Sequence, residues 1–65
     1  MRIFVNGEEH AIEPLSVLGY LEEIEIEPHR VAVELNLEIL PKGEYGTTQL
    51  KDGDRIEIVH FVGGG

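Results

Sequence analysis

Apolar positions recur with period two near both ends of the chain and with helical spacing once between them. Ile3 and Val5 alternate with Arg2 and Phe4, and Asn6-Gly7 follows. An Asn-Gly pair at this place predicts a type I′ hairpin turn, whose two central residues both need φ > 0. A two-residue turn sets Val5 opposite Glu8, Ile3 opposite His10 and Met1 opposite Ile12, with a return strand from Glu8 to Glu13. Met1, Ile3, Val5 and Ile12 then share one face, while Phe4 and Ala11 point to the other.

After Pro14-Leu15, Ser16 is placed to cap a helix. Val17, Leu18, Leu21 and Ile24 recur at helical spacing, with Glu22 and Glu23 outside. Gly19 inside the helix costs ~1 kcal/mol relative to alanine; close approach of a strand offers a reason. Pro28 ends any helical continuation. Val31, Val33 and Leu35 alternate with Ala32 and Glu34 as a third strand, and Asn36-Leu37 turns into a short strand around Glu38 to Leu40. Leu37 suits a φ > 0 position badly. The run from Pro41 to Gly46 reads as irregular or as a single turn, with Tyr45 and Leu50 as plugs. Asp52-Gly53-Asp54 is a tight turn. Arg55 to Val62 is the last strand, placed centrally because Ile56, Ile58, Val59, Phe61 and Val62 give it apolar groups on both faces.

Hairpin, helix, strand, short strand and long strand make an α+β domain in which one amphipathic helix covers one face of a mixed sheet. Sixty-five residues, 42% of them hydrophobic, suffice for one small core. The body is expected over residues 1–62, with 63–65 as a glycine tail. Absence of cysteine excludes a disulfide framework and any thiol chemistry of the chain's own. It also fits a cytoplasmic location. No apolar run is long enough to span a bilayer. Thirteen acidic against five basic residues give a net charge of −8. Such a surface repels a phosphate backbone and attracts a partner with a basic face.

The chain closes on Val62-Gly63-Gly64-Gly65. Glycines without Cβ can lie extended in a slot too tight for any side chain. Together with the Met-x-Ile-x-Val-Asn-Gly opening and the run from Leu50 to Ile58 around Asp52-Gly53-Asp54, this ending resembles the β-grasp, ubiquitin-like sulfur carriers. Among these it is most similar to the ThiS family of the bacterial thiamine pathway. Leu37 departs from the pattern, since these carriers often have glycine after the asparagine.

The resemblance implies a division of labour. A ThiF-like adenylyltransferase would activate the Gly65 carboxylate with ATP, and a cysteine-desulfurase route would supply sulfur to make a thiocarboxylate. A thiazole synthase of the ThiG type would then take that sulfur into the thiazole ring. Gly65 carries the reacting carbon, and Gly63 and Gly64 thread the tail into the partner. The chain itself would be neither an enzyme nor a binder of ATP, because a glycine run that opens no helix cannot form a phosphate loop. The spacing of His10, His29 and His60 suits no metal site, and no nucleophile-histidine-acid trio appears.

Phe4, Val59, Phe61 and Val62 are expected to dock the partner from the open sheet face, as an uncovered apolar patch beside the tail. The free chain is expected to be monomeric, with neither nucleic acid nor membrane as partner. Three other roles fit the residues: a molybdopterin-synthase small subunit, though such subunits are typically longer; a ubiquitin-like modifier joined to target lysines through Gly65; and an interaction module with an idle tail.

Overall fold

The computed structural model describes residues 1–61. Five strands form one mixed sheet in the order β2-β1-β5-β3-β4. Their ranges are β1 Arg2–Val5, β2 Glu8–Ala11, β3 Val31–Leu35, β4 Glu38–Leu40 and β5 Arg55–His60. One helix, α1 (Val17–Glu23), crosses one face. Short 3₁₀ turns occupy Pro28–Arg30 and Lys42–Glu44.

The first hairpin has the expected register, with Val5 opposite Glu8 and Ile3 opposite His10. Asn6 and Gly7 both take positive φ (48° and 86°), as the turn requires. Strand β2 ends at Ala11 rather than Glu13, although Ile12 and Met1 still exchange backbone hydrogen bonds. On the inner face Ile3 is buried, with Met1, Val5 and Ile12 packed against the core.

Strand β5 is central, as expected, but for a different reason. Ile56 and Ile58 are buried under the helix, whereas Val59 and Phe61 are 58% and 53% exposed. Only one face is covered; the strand is central because both its edges are hydrogen-bonded. On one edge it runs antiparallel to β3, from Val31 opposite His60 to Leu35 opposite Ile56. On the other it runs parallel to β1. There the Phe4 N–H donates to the Asp54 carbonyl and the Asn6 N–H to the Ile56 carbonyl, both at 2.9 Å.

At Asn6 the backbone of β1 turns away, and the asparagine side chain extends the ladder by one step. The Ile58 N–H donates to Asn6 Oδ1 (2.7 Å), and Asn6 Nδ2 donates to the Ile58 carbonyl (3.2 Å). Asn36 does similar work at the next turn, where its Oδ1 accepts from the Arg55 N–H and its Nδ2 donates to Asp54 Oδ1. The Asp52-Gly53-Asp54 turn is tied to β1 and to its own flank. Asp52 Oδ1 accepts from the Arg2 N–H, Asp54 Oδ2 from the Lys51 N–H, and the Gly53 N–H donates to the Arg2 carbonyl.

Ser16 caps α1 by accepting the Gly19 N–H at Oγ (3.0 Å). The buried helix positions are Val17, Tyr20 and Leu21, with Leu18 partly buried. Ile24, expected on the inner stripe, is 39% exposed. The helix stops before its side chain can turn inward, in a Schellman arrangement. The Ile26 N–H donates to the Leu21 carbonyl and the Glu25 N–H to the Glu22 carbonyl, with Glu25 left-handed at φ 62°. Helix termination therefore precedes Pro28, which opens the following 3₁₀ turn instead. Gly19 does not approach a strand. A Cβ there would meet Leu15 and the Ser16 hydroxyl at 3.4 Å, in the segment that leads into the helix.

Tyr45 and Leu50 fill the remaining space and are buried, as anticipated. Two non-glycine residues sit at φ > 0 without the asparagine side chain that eases it: Glu25, and Leu37 at φ 72°. Each strains the backbone by about 1 kcal/mol.

Two outcomes follow from this packing. Asn6→Ala removes both bonds to Ile58 and places alanine at positive φ; urea denaturation should show a loss of about 2–3 kcal/mol. Asn6→Gly should lose less, because the backbone strain is absent. Equal losses in the two variants would contradict the part assigned to φ. Burial pushes the phenols of Tyr20 and Tyr45 above their ordinary value of 10.0, with Glu23 adding to the effect at Tyr20. The unfolded chain ionises these groups at lower pH than the folded one. Their contribution is thus complete below pH 10.0 and is lost as pH rises through and beyond it. Denaturant midpoints should decline through that alkaline range and should decline less in Tyr45→Phe.

Candidate functional site

The candidate site is the outer sheet face together with the end of β5, just before the last described residue. Alternation along the strands decides which side chains reach that face. With Ile3, Val31, Val33, Ile56 and Ile58 turned to the helix, the opposite parity presents Phe4, Ala32, Glu34, Arg55, Glu57 and Val59. Ile39, opposite Glu34 on β4, joins them and is 78% exposed.

Phe4 lies on the expected face but apart from the tail. Parallel pairing sets it opposite Arg55, and the guanidinium covers its ring at 4.9 Å from the centroid. Val59 is four residues further along β5, about 13 Å away at ordinary strand rise. Between them lie Glu57 and, directly across on β3, Glu34. The expected single apolar patch is therefore two smaller ones separated by a pair of facing carboxylates.

Val59 is opposite Ala32, so the outer surface there stays open. Phe61 is the last described residue. Its N–H donates to the Arg30 carbonyl (2.9 Å), so the β5–β3 edge holds the chain one residue past the strand. Its ring lies under the ammonium of Lys42, 4.8 Å from Nζ to the centroid. Lys42 Nζ also donates to the Val31 carbonyl (2.8 Å), which anchors it over the ring. A cation over an exposed aromatic ring contributes about 0.5–1 kcal/mol. Lys42 carries no sequence signal, because its contact with Phe61 depends on how the chain after β4 folds back. Val62, Gly63, Gly64 and Gly65, the remaining residues expected at the site, lie outside the described residues.

Among the described residues no group of three or more His, Asp or Glu side chains is placed to hold a metal ion. Arg2 pairs with Glu9 (2.7 Å), and His10 Nε2 lies 3.6 Å from Glu8 Oε1, both on the surface. A shallow cleft of about 520 Å³ lies beside α1, lined by Leu18, Glu22, His29, Lys42 and Tyr45 among others, and so shares Lys42 with the Phe61 contact. No described helix is long and apolar enough to cross a membrane.

Comparison with known proteins fits this geometry. Residues 2–65 match the model of the ThiS family. A sulfur carrier protein ThiS of Thermus thermophilus is 36% identical over 97% of this chain and 98% of its own length. The ThiS of Bacillus subtilis is 51% identical over 77% of this chain and 76% of its own. A thiazole synthase of Paramagnetospirillum magneticum is 44% identical over all of this chain, which spans only 20% of that protein's length. Among solved structures, the thiamine biosynthesis protein ThiS from Geobacter metallireducens superposes with a TM-score of 0.86 at 36% identity, covering 100% of both chains. A family model spanning nearly every residue, a near full-length ThiS relative and a shared mixed sheet over one helix agree: this chain is a β-grasp domain of the ThiS family.

Proposed function

We propose that the chain is a sulfur carrier for thiamine biosynthesis and that the carboxylate of Gly65 is the group that carries the sulfur. The match to the ThiS family, which runs through residue 65 and so includes the glycine ending, is the observation that carries this reading. The chemistry requires nothing else of the body. A carboxylate is a poor electrophile. Its oxygen attacks the α-phosphorus of ATP on a ThiF-like enzyme, pyrophosphate leaves, and the acyl adenylate forms. A persulfide from a cysteine-desulfurase route then displaces AMP at the acyl carbon to give an acyl disulfide. A thiol of the enzyme partner attacks the sulfur not bonded to the acyl carbon, forming a disulfide and releasing the thiocarboxylate, a soft nucleophile. The body acts as a group carrier does, supplying position and recognition while its partners supply catalysis.

The link to thiazole synthase as sulfur acceptor has support in sequence. Two thiazole synthases contain a region 44% identical to the whole of this chain. A carrier region within the same polypeptide as a synthase is what a shared reaction sequence favours, since tethering raises the effective concentration of one for the other. The fold supports the reading in a second way. Phe61, fixed at one end of the sheet by Arg30 and Lys42, comes in sequence just before the glycine ending. Neither ATP nor a sulfur donor need bind the body; both act through the partner enzyme.

Two measurements test this. Intact mass after incubation with a ThiF-like enzyme, ATP and a sulfur donor should show exchange of one oxygen for sulfur at Gly65. A lysine adduct would instead identify a ubiquitin-like modifier, and no change would remove the carrier reading. Gly64→Ala should leave the unfolding midpoint unchanged while adenylation falls about a hundred-fold, since a Cβ displaces the reacting carboxylate by an ångström or more. Adenylation of Gly64→Ala at the parent rate would show that no tight slot exists.

A further inference from the structure

We infer that the β3–β4 hairpin tip is a second docking point, in which Leu37 and Ile39 enter an apolar recess rimmed by lysine or arginine on the enzyme that adenylates the tail. This rests on the proposed function for the identity of the partner, but not for the existence of the surface.

Leu37 is the residue that carries the inference. It sits at φ 72°, a conformation that costs a leucine and costs glycine nothing, and it is 85% exposed. The two-residue β3–β4 turn demands the positive φ, but nothing in the body repays a leucine there: Leu37 does not belong to the core or to the side chains packed against it. A strained backbone around a solvated leucine points to a use outside the fold. Ile39, two residues on, is 78% exposed on the outer sheet face. These two are the most exposed large apolar residues described in the chain.

Charge identifies what covers them. Ile39 stands directly opposite Glu34, and Glu34 directly opposite Glu57, so a row of apolar group and two carboxylates crosses β4, β3 and β5. Like charges facing each other across strands destabilise a sheet. Neither carboxylate has an ion-pair partner among the described residues. A basic rim around an apolar recess satisfies both at once. A second copy of the chain does not, because it would bring the same carboxylates and a further charge of −8. The tip also lies at the opposite end of β5 from Phe61, at least about 13 Å away by strand rise. A partner that grips the tip while receiving the tail holds the body at two separated points and so fixes its orientation.

The test compares the parent, Leu37→Gly and Glu25→Gly. Both variants replace a strained residue by glycine at positive φ, so both should raise the thermal midpoint. Affinity for a ThiF-like adenylyltransferase, measured by calorimetric titration, should fall about ten-fold in Leu37→Gly and stay unchanged in Glu25→Gly. Weaker binding in the more stable protein cannot come from damage to the fold. In the adenylation assay the same loss should appear in KM with kcat kept. Glu34→Gln and Glu57→Gln should reduce the dependence of affinity on salt.

Equal affinity of the parent and Leu37→Gly would overturn the proposal, as would self-association of the parent that Leu37→Gly abolishes. Failure of the enzyme to adenylate the parent, with Leu37→Gly still binding ten-fold more weakly, would remove the carrier chemistry and leave the surface standing. Absence of any binding by the parent would remove both.

Discussion

The fold depends on satisfying both edges of its central strand. Strand β5 has only β1 and β3 as neighbours, and β1 is too short to pair along its full length. The backbone of β1 turns away after bonding Ile56. An unpaired amide and carbonyl at Ile58 would then face the interior edge of the sheet. Asn6 supplies both missing partners from one side chain, while its backbone takes the positive φ that the hairpin turn demands. One residue therefore closes the first hairpin and completes the parallel ladder. Asn36 repeats the device at the other flank, linking the β3–β4 turn to Arg55 and Asp54. With these turns fixed, alternation alone sends Ile56 and Ile58 under the helix and leaves Glu57 and Val59 outside.

Much of this is legible in the residues because it is local. Asn6-Gly7 specifies a turn type and hence a register, and Ser16 lies where a cap must be. The alternation of Val31, Val33 and Leu35 matches a strand with one buried face. The rest is set by contacts distant in sequence or by a choice with no residue signature. Ile24 fits the helical stripe, but Glu25 ends the helix from a position where glycine is the usual marker. Tyr20 is buried although its hydroxyl makes it a weaker core candidate than Ile24. At the site, parity correctly places Phe4 and Val59 on one face. The parallel register that sets Phe4 against Arg55, away from the tail, has no local signal. Lys42 over Phe61 is hidden for the same reason, and Leu37 stands out in the residues only as a misfit to its turn.

The body thus separates two roles in space. The helix side holds the core, the outer sheet face carries the docking surface proposed above, and the described chain stops just past one end of β5. Because the proposed carrying group is a main-chain carboxylate, no side chain of the body has to be tuned as acid, base or nucleophile. The surface is free to be strongly acidic, and its exposed apolar residues can be few and specifically placed.

The position of β5 also governs how the molecule comes into being. It is the last described strand in the chain and the middle one in the sheet, so β1–β2 and β3–β4 remain two separate hairpins until it arrives. Isolated hairpins are marginal in water, and the β1–β5 pairing joins Phe4 to Arg55 and Val5 to Ile56, across most of the chain. During synthesis neither half has a lasting reason to hold its shape before His60 clears the ribosome. Non-local pairing of this kind slows folding. A fragment lacking β5 therefore has no strand to join its two hairpins into one sheet.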